Sequence, residues 1–216
     1  MTLYEDTKEE KYLEAADRLA RYLKRYPESP EGGLPYRMAQ RTHMYADSLG
    51  MICPFLCRYG ALRGDEEALE LGIAQLVRFL KRGMDDRSGL PYHGFDSATG
   101  VKYGCIGWGR AVGWLMTGLS GSLVWLAEGR QEEEFLRENL RKLSAAVLPC
   151  QRQDGSFAWL LPALEGPADS SATAMIASSL LLGLRCGLSG DAVEEAVYRA
   201  GEFLLSCIKD GRVEQC

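Results

Sequence analysis

Histidine is nearly absent from this chain: 216 residues contain two, His43 and His93. A metal site built on imidazoles therefore has little to draw on, and the cysteines do not make up the shortfall. Cys53 and Cys57 stand at helical spacing, not at a CxxC spacing, and the others are scattered at 105, 150, 186, 207 and 216. Seven cysteines is an odd number and suits no disulfide framework. They read as reduced core residues in a cytoplasmic protein, and no metal or other cofactor is expected. Long apolar runs are missing too. The longest nearly apolar stretch, Ser171 to Leu184, is too short and too rich in hydroxyls to span a bilayer. The start, Met1-Thr2-Leu3-Tyr4-Glu5-Asp6, is charged at once and has no signal-peptide core. There is no basic excess either. A formal net charge of −5 argues against a nucleic-acid partner, which wants a basic face. An anionic small ligand stays open, because a few arginines in a pocket outweigh a diffuse negative field.

Strand-type alternation is also lacking, and helical periodicity fills the chain. The length suits one domain over residues 1–216, able to bury roughly 70–75% of its unfolded surface. Leu13, Ala16, Leu19, Ala20 and Leu23 fall on one helical face, as do Leu69, Ile73, Leu76, Val77 and Leu80. Ala192, Val193, Ala196, Val197, Ala200 and Leu204 repeat the pattern near the end. Residues 131–148 form another amphipathic helix, with Glu132, Glu133 and Glu134 at the end where the helix dipole favours acids. Between these lie segments of another kind. Residues 43–60, 109–127 and 170–186 carry little charge and are apolar or small nearly all round, so protein must surround them. Amphipathic and buried segments thus alternate, which predicts seven helices in two layers, an outer set wrapped on an inner set.

A repeat supports this order. Gly33-Leu34-Pro35-Tyr36 recurs as Gly89-Leu90-Pro91-Tyr92, and Gly155-Ser156-Phe157 is a looser third copy. Each copy follows an amphipathic helix and precedes a buried one. The repeating unit is then a helical hairpin with a glycine-aromatic loop. Stacked hairpins close into a toroid or run on as a solenoid, with the long loops gathered at one end.

Polar residues on the buried helices are informative, because burial costs free energy unless they are paired. Asp47 is the one acid between Arg41 and Gly64. A carboxyl group in an apolar wall can stay protonated and act as a general acid; equally, Asp47 can cap its helix or pair with Arg37 or Arg41. Trp108, Arg110 and Trp114 put a cation between two large aromatic faces at a helix start. That suits a sugar ring and its carboxylate; the alternative is a core role for Trp108 and Trp114 and a buried acid as partner for Arg110. Asp169-Ser170-Ser171-Ala172-Thr173 is mostly a helix cap. His93 lies in a loop, where function and packing weigh about equally.

These segments, in this order, resemble the unsaturated glucuronyl and rhamnogalacturonyl hydrolases of glycoside hydrolase families 88 and 105. The resemblance is carried by Asp47-Ser48-Leu49-Gly50-Met51-Ile52-Cys53-Pro54-Phe55-Leu56, by Gly89-Leu90-Pro91-Tyr92-His93-Gly94-Phe95-Asp96, by Trp108-Gly109-Arg110-Ala111-Val112-Gly113-Trp114, and by Gln153-Asp154-Gly155-Ser156-Phe157 with Ser170-Ser171-Ala172-Thr173-Ala174-Met175. It implies an all-α, (α/α)6-barrel-type toroid, here of about seven helices and so incomplete. It implies hydrolysis of oligosaccharides, of pectin or glycosaminoglycan origin, that end in a uronic acid with a C4=C5 double bond. On this carry-over Asp47 is the general acid and base, His93 and Arg110 bind the ring and its carboxylate, and Trp108 and Trp114 are ring platforms. Tyr36 or Arg37 falls where the family often has another polar ligand. The family also has an upstream aspartate and further hairpins at both ends.

Two other functions compete. A non-catalytic helical scaffold would associate through its open edges. A different toroid enzyme, such as a sugar epimerase, would want several histidines on the inner helices. Open edges also predict a homodimer, with apolar patches at Tyr12, Leu13, Leu23, Val197, Phe203 and Leu204.

Overall fold

The computed structural model describes residues 1–26, 29 and 31–216. Among them run α1 (Thr2–Thr7), α2 (Glu10–Arg25), α3 (Ala46–Arg63), α4 (Glu66–Arg82), α5 (Gly109–Leu123), α6 (Gln131–Val147), α7 (Ser170–Leu184) and α8 (Asp191–Ser206). The seven long helices are those that the periodicity predicts. The short α1 is additional. The charge-poor helices α3, α5 and α7 lie side by side as an inner layer. The amphipathic α2, α4, α6 and α8 pack behind and between them.

Local chemistry sets these boundaries. Gly64 ends α3 in the left-handed conformation (φ 65°), and the Asp65 side chain then accepts from Ala68 N at 3.0 Å to start α4. Glu66 and Glu67 occupy the first turn of α4 and Lys81 and Arg82 the last, matching the helix dipole. Close approach of the inner helices depends on missing side chains. A Cβ on Gly118 of α5 would lie 3.1 Å from the Leu49 backbone, and one on Gly113 would lie 2.7 Å from Met175 Cβ. α5 can therefore touch α3 on one side and α7 on the other. The core between the layers is built on fully buried Leu49, Leu76, Phe79, Leu115, Leu136 and Leu180.

Four expectations need correction. The segment 43–60 is not helical from its start. His43–Tyr45 is a strand, β1, in a three-stranded antiparallel sheet with β2 (Gly94–Asp96) and β3 (Lys102–Tyr103), and a two-stranded ladder joins β4 (Ile208–Lys209) to β5 (Arg212–Val213). Strands of two or three residues are too short to alternate visibly. The inner helices are not covered all round: Met51 on α3 is 57% exposed and Leu181 on α7 56%, because their concave side has no further layer over it. The edge residues Leu13, Leu23 and Phe203 are buried, and the exposed apolar side chains are instead Leu19, Tyr22, Leu181, Tyr198 and Leu205. Finally, Cys105 and Cys216 are exposed, whereas Cys53, Cys57, Cys186 and Cys207 are core residues.

The cysteines give a first testable outcome. Burial pushes the Cys53 thiol up and that of Cys57 to about 11, so neither offers thiolate at neutral pH. A thiol reagent at pH 8 should modify Cys105 and Cys216 quickly, and Cys53 and Cys57 only with denaturant; peptide mapping reads the order.

A second concerns Asp65. Lys24 Nζ lies 2.8 Å from Asp65 Oδ2, and this bond, reinforced by the cap on Ala68, holds the Asp65 carboxyl below its ordinary 3.8. Asp65 and Glu67 raise Lys24 above 10.5. A carboxyl group depressed by folding stabilises fully above 3.8 and loses that contribution as pH falls through the folded value. A raised lysine loses its share as pH rises past 10.5. Asp65→Asn keeps a capping oxygen and removes the charge. Its stability deficit in urea melts should be full at pH 7 and shrink below about pH 4; a deficit that does not change with pH would refute the charge argument.

Candidate active site

The inner helices all begin at the same end of the molecule, and the predicted site residues gather there. Asp47 is in the first turn of α3. Immediately upstream, Tyr45 pairs with Gly94 across the β1–β2 ladder, and Ala46 N donates to the His93 carbonyl at 3.0 Å. These backbone bonds fix His93 against the helix start, and its Nε2 lies 2.9 Å from Asp47 Oδ2. α3 has no side-chain cap, so Asp47 does not cap it, and the partner it meets is His93. It forms an acid–imidazole pair whose carboxyl and ring are 21% and 29% exposed.

Aromatic rings enclose the pair. Tyr45 packs on His93 with ring centres 4.8 Å apart, and Tyr36 meets Tyr45 edge-on at 5.4 Å. Arg37 lies 6.0 Å over the Tyr36 ring. With Gln40 these residues line a cavity of about 310 Å³ that opens onto Asp47 and His93. Behind Tyr45, Tyr103 points its hydroxyl at the Met44 and Phe95 carbonyls. Burial, and then the neighbouring Tyr45, hold that hydroxyl well above the ordinary phenol range, so it stays a neutral donor that ties β3 to the other two strands.

On the other flank, the Trp108 ring stands edge-on to His93 at 4.7 Å, and the Arg110 guanidinium lies 5.4 Å over the same indole. Arg110 Nε is 3.1 Å from Asp169 Oδ2, but the N–H is not aligned as a hydrogen bond; the contact is ionic. Asp169 also caps α7, its Oδ1 accepting from Ala172 N at 2.9 Å. No hydrogen bond from the terminal nitrogens of Arg110 is found among the described residues, and its side chain is 38% exposed. Asp47, His93, Trp108 and Arg110 thus form one connected row. Tyr36 and Arg37 share the cavity with the first two. Trp114 is placed differently: one turn further along α5, its ring covers Gly50 of α3, where a Cβ would come within 2.5 Å. It packs the α3–α5 crossing.

Sequence reasoning passed over Tyr45, Gln40, Tyr103 and Trp159. Trp159 stands 6.5 Å from Trp108, and its carbonyl accepts from Gly109 N at 2.8 Å. Nothing local marks it, because only the fold brings residues 158–161 beside the start of α5. Asp169 was visible as a cap, but its second role needs the neighbouring helix.

The arrangement is a helical-hairpin protein with an acid–imidazole pair, aromatic faces and an arginine gathered where its inner helices begin. The chain belongs to Glycosyl Hydrolase Family 88, whose family model matches residues 1–216. It is 33% identical over 171 residues to the Agrobacterium fabrum protein Atu3128, an alignment covering 74% of this chain and 72% of that one. It is 26% identical over 220 residues to the unsaturated rhamnogalacturonyl hydrolase YesR of Bacillus subtilis, covering 99% of this chain and 62% of the relative. Among solved structures, a C. acetobutylicum glycoside hydrolase from family 105 superposes with a TM-score of 0.84 at 25% identity. The match covers 95% of this chain, which spans 60% of that protein. A possible family 105 member from Klebsiella pneumoniae shares the fold with a TM-score of 0.87 at 24% identity, over 99% of this chain and 58% of its own. The fold is accordingly the six-hairpin helical toroid, of which this chain forms an arc.

Proposed function

We propose that this chain acts on oligosaccharides ending in a C4=C5 unsaturated uronic acid, the product type that a polysaccharide lyase leaves on pectin-like chains or glycosaminoglycans. The observation that carries the reading is the 2.9 Å pair of Asp47 and His93 beside an aromatic wall and an arginine fork. An inert scaffold has no use for such a pair open to a cavity. An epimerase reading gains nothing, since His43 lies in β1 and His93 in a loop.

The chemistry follows from the substrate. Its C4=C5 bond is conjugated to the ring oxygen, so C4 accepts a proton and the cation at C5 is stabilised by that oxygen. The Asp47 carboxyl delivers the proton. A water molecule then adds at C5 and returns one proton to the Asp47 carboxylate, which restores the acid. The hemiketal opens at the C5–oxygen bond, and C1, now a hemiacetal, expels the next sugar as an alcohol. The ordinary glycosidase arrangement of acid and nucleophile at the anomeric carbon is not used. His93, with Nε2 2.9 Å from Asp47 Oδ2, keeps the reacting carboxyl group oriented. The Arg110 guanidinium suits the uronate carboxylate, since such a group binds it with two parallel bonds. Trp108 and Tyr36 offer faces for the sugar ring.

Incubation of the purified chain with an unsaturated uronyl disaccharide tests this. Loss of the ultraviolet absorbance of the double bond, with release of one saturated sugar per event, is expected. Stable absorbance across a panel of pectin- and glycosaminoglycan-derived disaccharides would overturn it. A cytoplasmic setting accords with seven cysteines that all stand free. Among the described residues no helix is long and apolar enough to cross a membrane. Exposed Tyr198 and Leu205 on the last helix, α8, support pairing of two copies along that edge, with twofold symmetry, which light scattering reads directly.

A further inference from the structure

A second feature lies outside the Asp47 cavity. On α2, Arg18, Arg21 and Arg25 follow one another at helical spacing, with Tyr22 among them. Together with Tyr26 and Met38 they line a groove of about 460 Å³. Several arginines elsewhere in the chain are neutralised: Arg58, Arg82, Arg130, Arg137 and Arg141 each have a carboxylate within ion-pair reach. Arg18, Arg21 and Arg25 have none among the described residues. Their one side-chain bond is from Arg21 Nε to the Asp17 carbonyl, at 3.3 Å. Lys24, on the same helix, turns the other way onto Asp65 and Glu67. Three like charges within about two helical turns repel one another, and an anion laid across them removes that repulsion.

The groove is also linked to the site by shared wall residues. Tyr22 and Tyr26 line a second hollow with Leu34, Pro35, Tyr36 and Met51, and Tyr36 is in turn a wall of the cavity around Asp47 and His93. The three hollows thus follow one another along shared walls, Tyr22 and Tyr26 between the first two and Tyr36 between the last two, and a chain laid across them would follow a trough from the three arginines to the acid–imidazole pair. Tyr36 is 43% and Tyr22 58% exposed, which leaves aromatic faces along its length. The stretch from Arg18 to Arg25 covers about 10 Å of helix, enough to follow a short run of sugar rings. Aromatic faces and an arginine fork are the elements already assembled around Trp108 and Arg110, here built outward on another helix.

From this geometry we propose that the trough holds the part of an acidic oligosaccharide beyond the bond being cleaved, with sugar rings against Tyr36 and Tyr22 and a saturated uronate carboxylate held by Arg21 and Arg25. The preferred substrates are then uronate-rich chains and not neutral ones. This rests on the proposed function, and the experiment separates the two. Titration calorimetry of the whole chain with a saturated oligogalacturonate hexamer should show binding that weakens as salt rises. The double variant R21A/R25A, at exposed helix positions, should bind it at least tenfold more weakly, with an unchanged melting curve. R21K/R25K, which keeps charge but loses the fork, should fall between. A neutral maltohexaose should not bind. Equal affinity of R21A/R25A and parent, equal affinity for the neutral hexamer, or no binding of the acidic one each overturns the trough. Hydrolysis of the unsaturated disaccharide by the parent, a substrate too short to reach α2, reports on Asp47 independently. Binding without that hydrolysis would sink the proposed function and leave the trough standing.

Discussion

Asp47→Asn is expected to lower the turnover of an unsaturated uronyl disaccharide by about 10²- to 10⁴-fold, the usual range for loss of a general acid. The amide matches the carboxyl in shape and volume and can still hydrogen-bond His93 across 2.9 Å. What it lacks is a proton that can be given to C4 and taken back from water. Asp47 does not cap α3, whose N-cap is Tyr45 with no side-chain bond, and its carboxyl is partly open to the cavity. Its replacement therefore removes little stability, and the melting temperature should stay within a few degrees of the parent, since about 1 kcal/mol shifts a domain of this size by only 2–4 °C. Substrate affinity, read with the inactive variant, should be retained, because Arg110, Trp108 and Tyr36 are untouched. Parent-like turnover in Asp47→Asn would remove Asp47 from the mechanism. Lost turnover together with a collapsed melting curve would instead make it a structural residue.

The site's parts differ in how visible they are in sequence, and the reason is distance along the chain. Asp47 stands out because a lone acid in a charge-poor segment needs a partner or a task. The inner helices stand out for the same physical reason, since segments without charge must be covered by protein. The contact of Asp47 with His93 is not legible in the sequence, where the nearby candidates are Arg37 and Arg41 and His93 lies 46 positions away. His93 reaches Asp47 because three short strands, two or three residues each, lay its loop against the start of α3. Such strands have too few residues to alternate, and they are stabilised by their long-range pairing. The covering of the edges is likewise hidden in the sequence. Periodicity names most of the apolar face of α2, since Leu13, Ala16, Ala20 and Leu23 are buried while Leu19 is exposed. It does not say that this face is satisfied within the chain, by Leu56, Tyr59 and Ala68. Family resemblance supplied the toroid itself, which composition leaves open between a ring and a solenoid.

Asp169 joins fold and site, and its substitution should separate two roles. The residue is 2% exposed. Oδ1 caps α7 through Ala172 N, and Oδ2 faces Arg110 Nε at 3.1 Å. Its backbone continues the same construction: Asp169 N donates to the Phe157 carbonyl at 3.0 Å, while Thr173 Oγ1 donates to the Asp169 carbonyl at 2.8 Å and accepts from Phe157 N at 2.9 Å. The third glycine-aromatic loop is thereby clamped to the start of α7. Asp169→Ala removes the cap, worth about 1 kcal/mol, and deprives Arg110 of its counter-charge. Breaking a fully buried pair costs roughly 3–5 kcal/mol. The Arg110 side chain is 38% exposed, so solvent screens part of this loss, and a total near 2–3 kcal/mol is expected. Asp169→Asn keeps a capping oxygen and loses only the charge, so it should recover about 1 kcal/mol of that deficit. The two variants should agree in catalysis where they differ in stability. Each frees Arg110 from its anchor, which raises KM for a substrate that presents a uronate and leaves kcat less affected, because Asp47 and His93 keep their contact. Urea melts and steady-state kinetics on both variants read the two roles separately. Equal stability of Asp169→Asn and Asp169→Ala would show that the cap contributes nothing. An unchanged KM in both would show that the buried aspartate does not position Arg110 for the substrate.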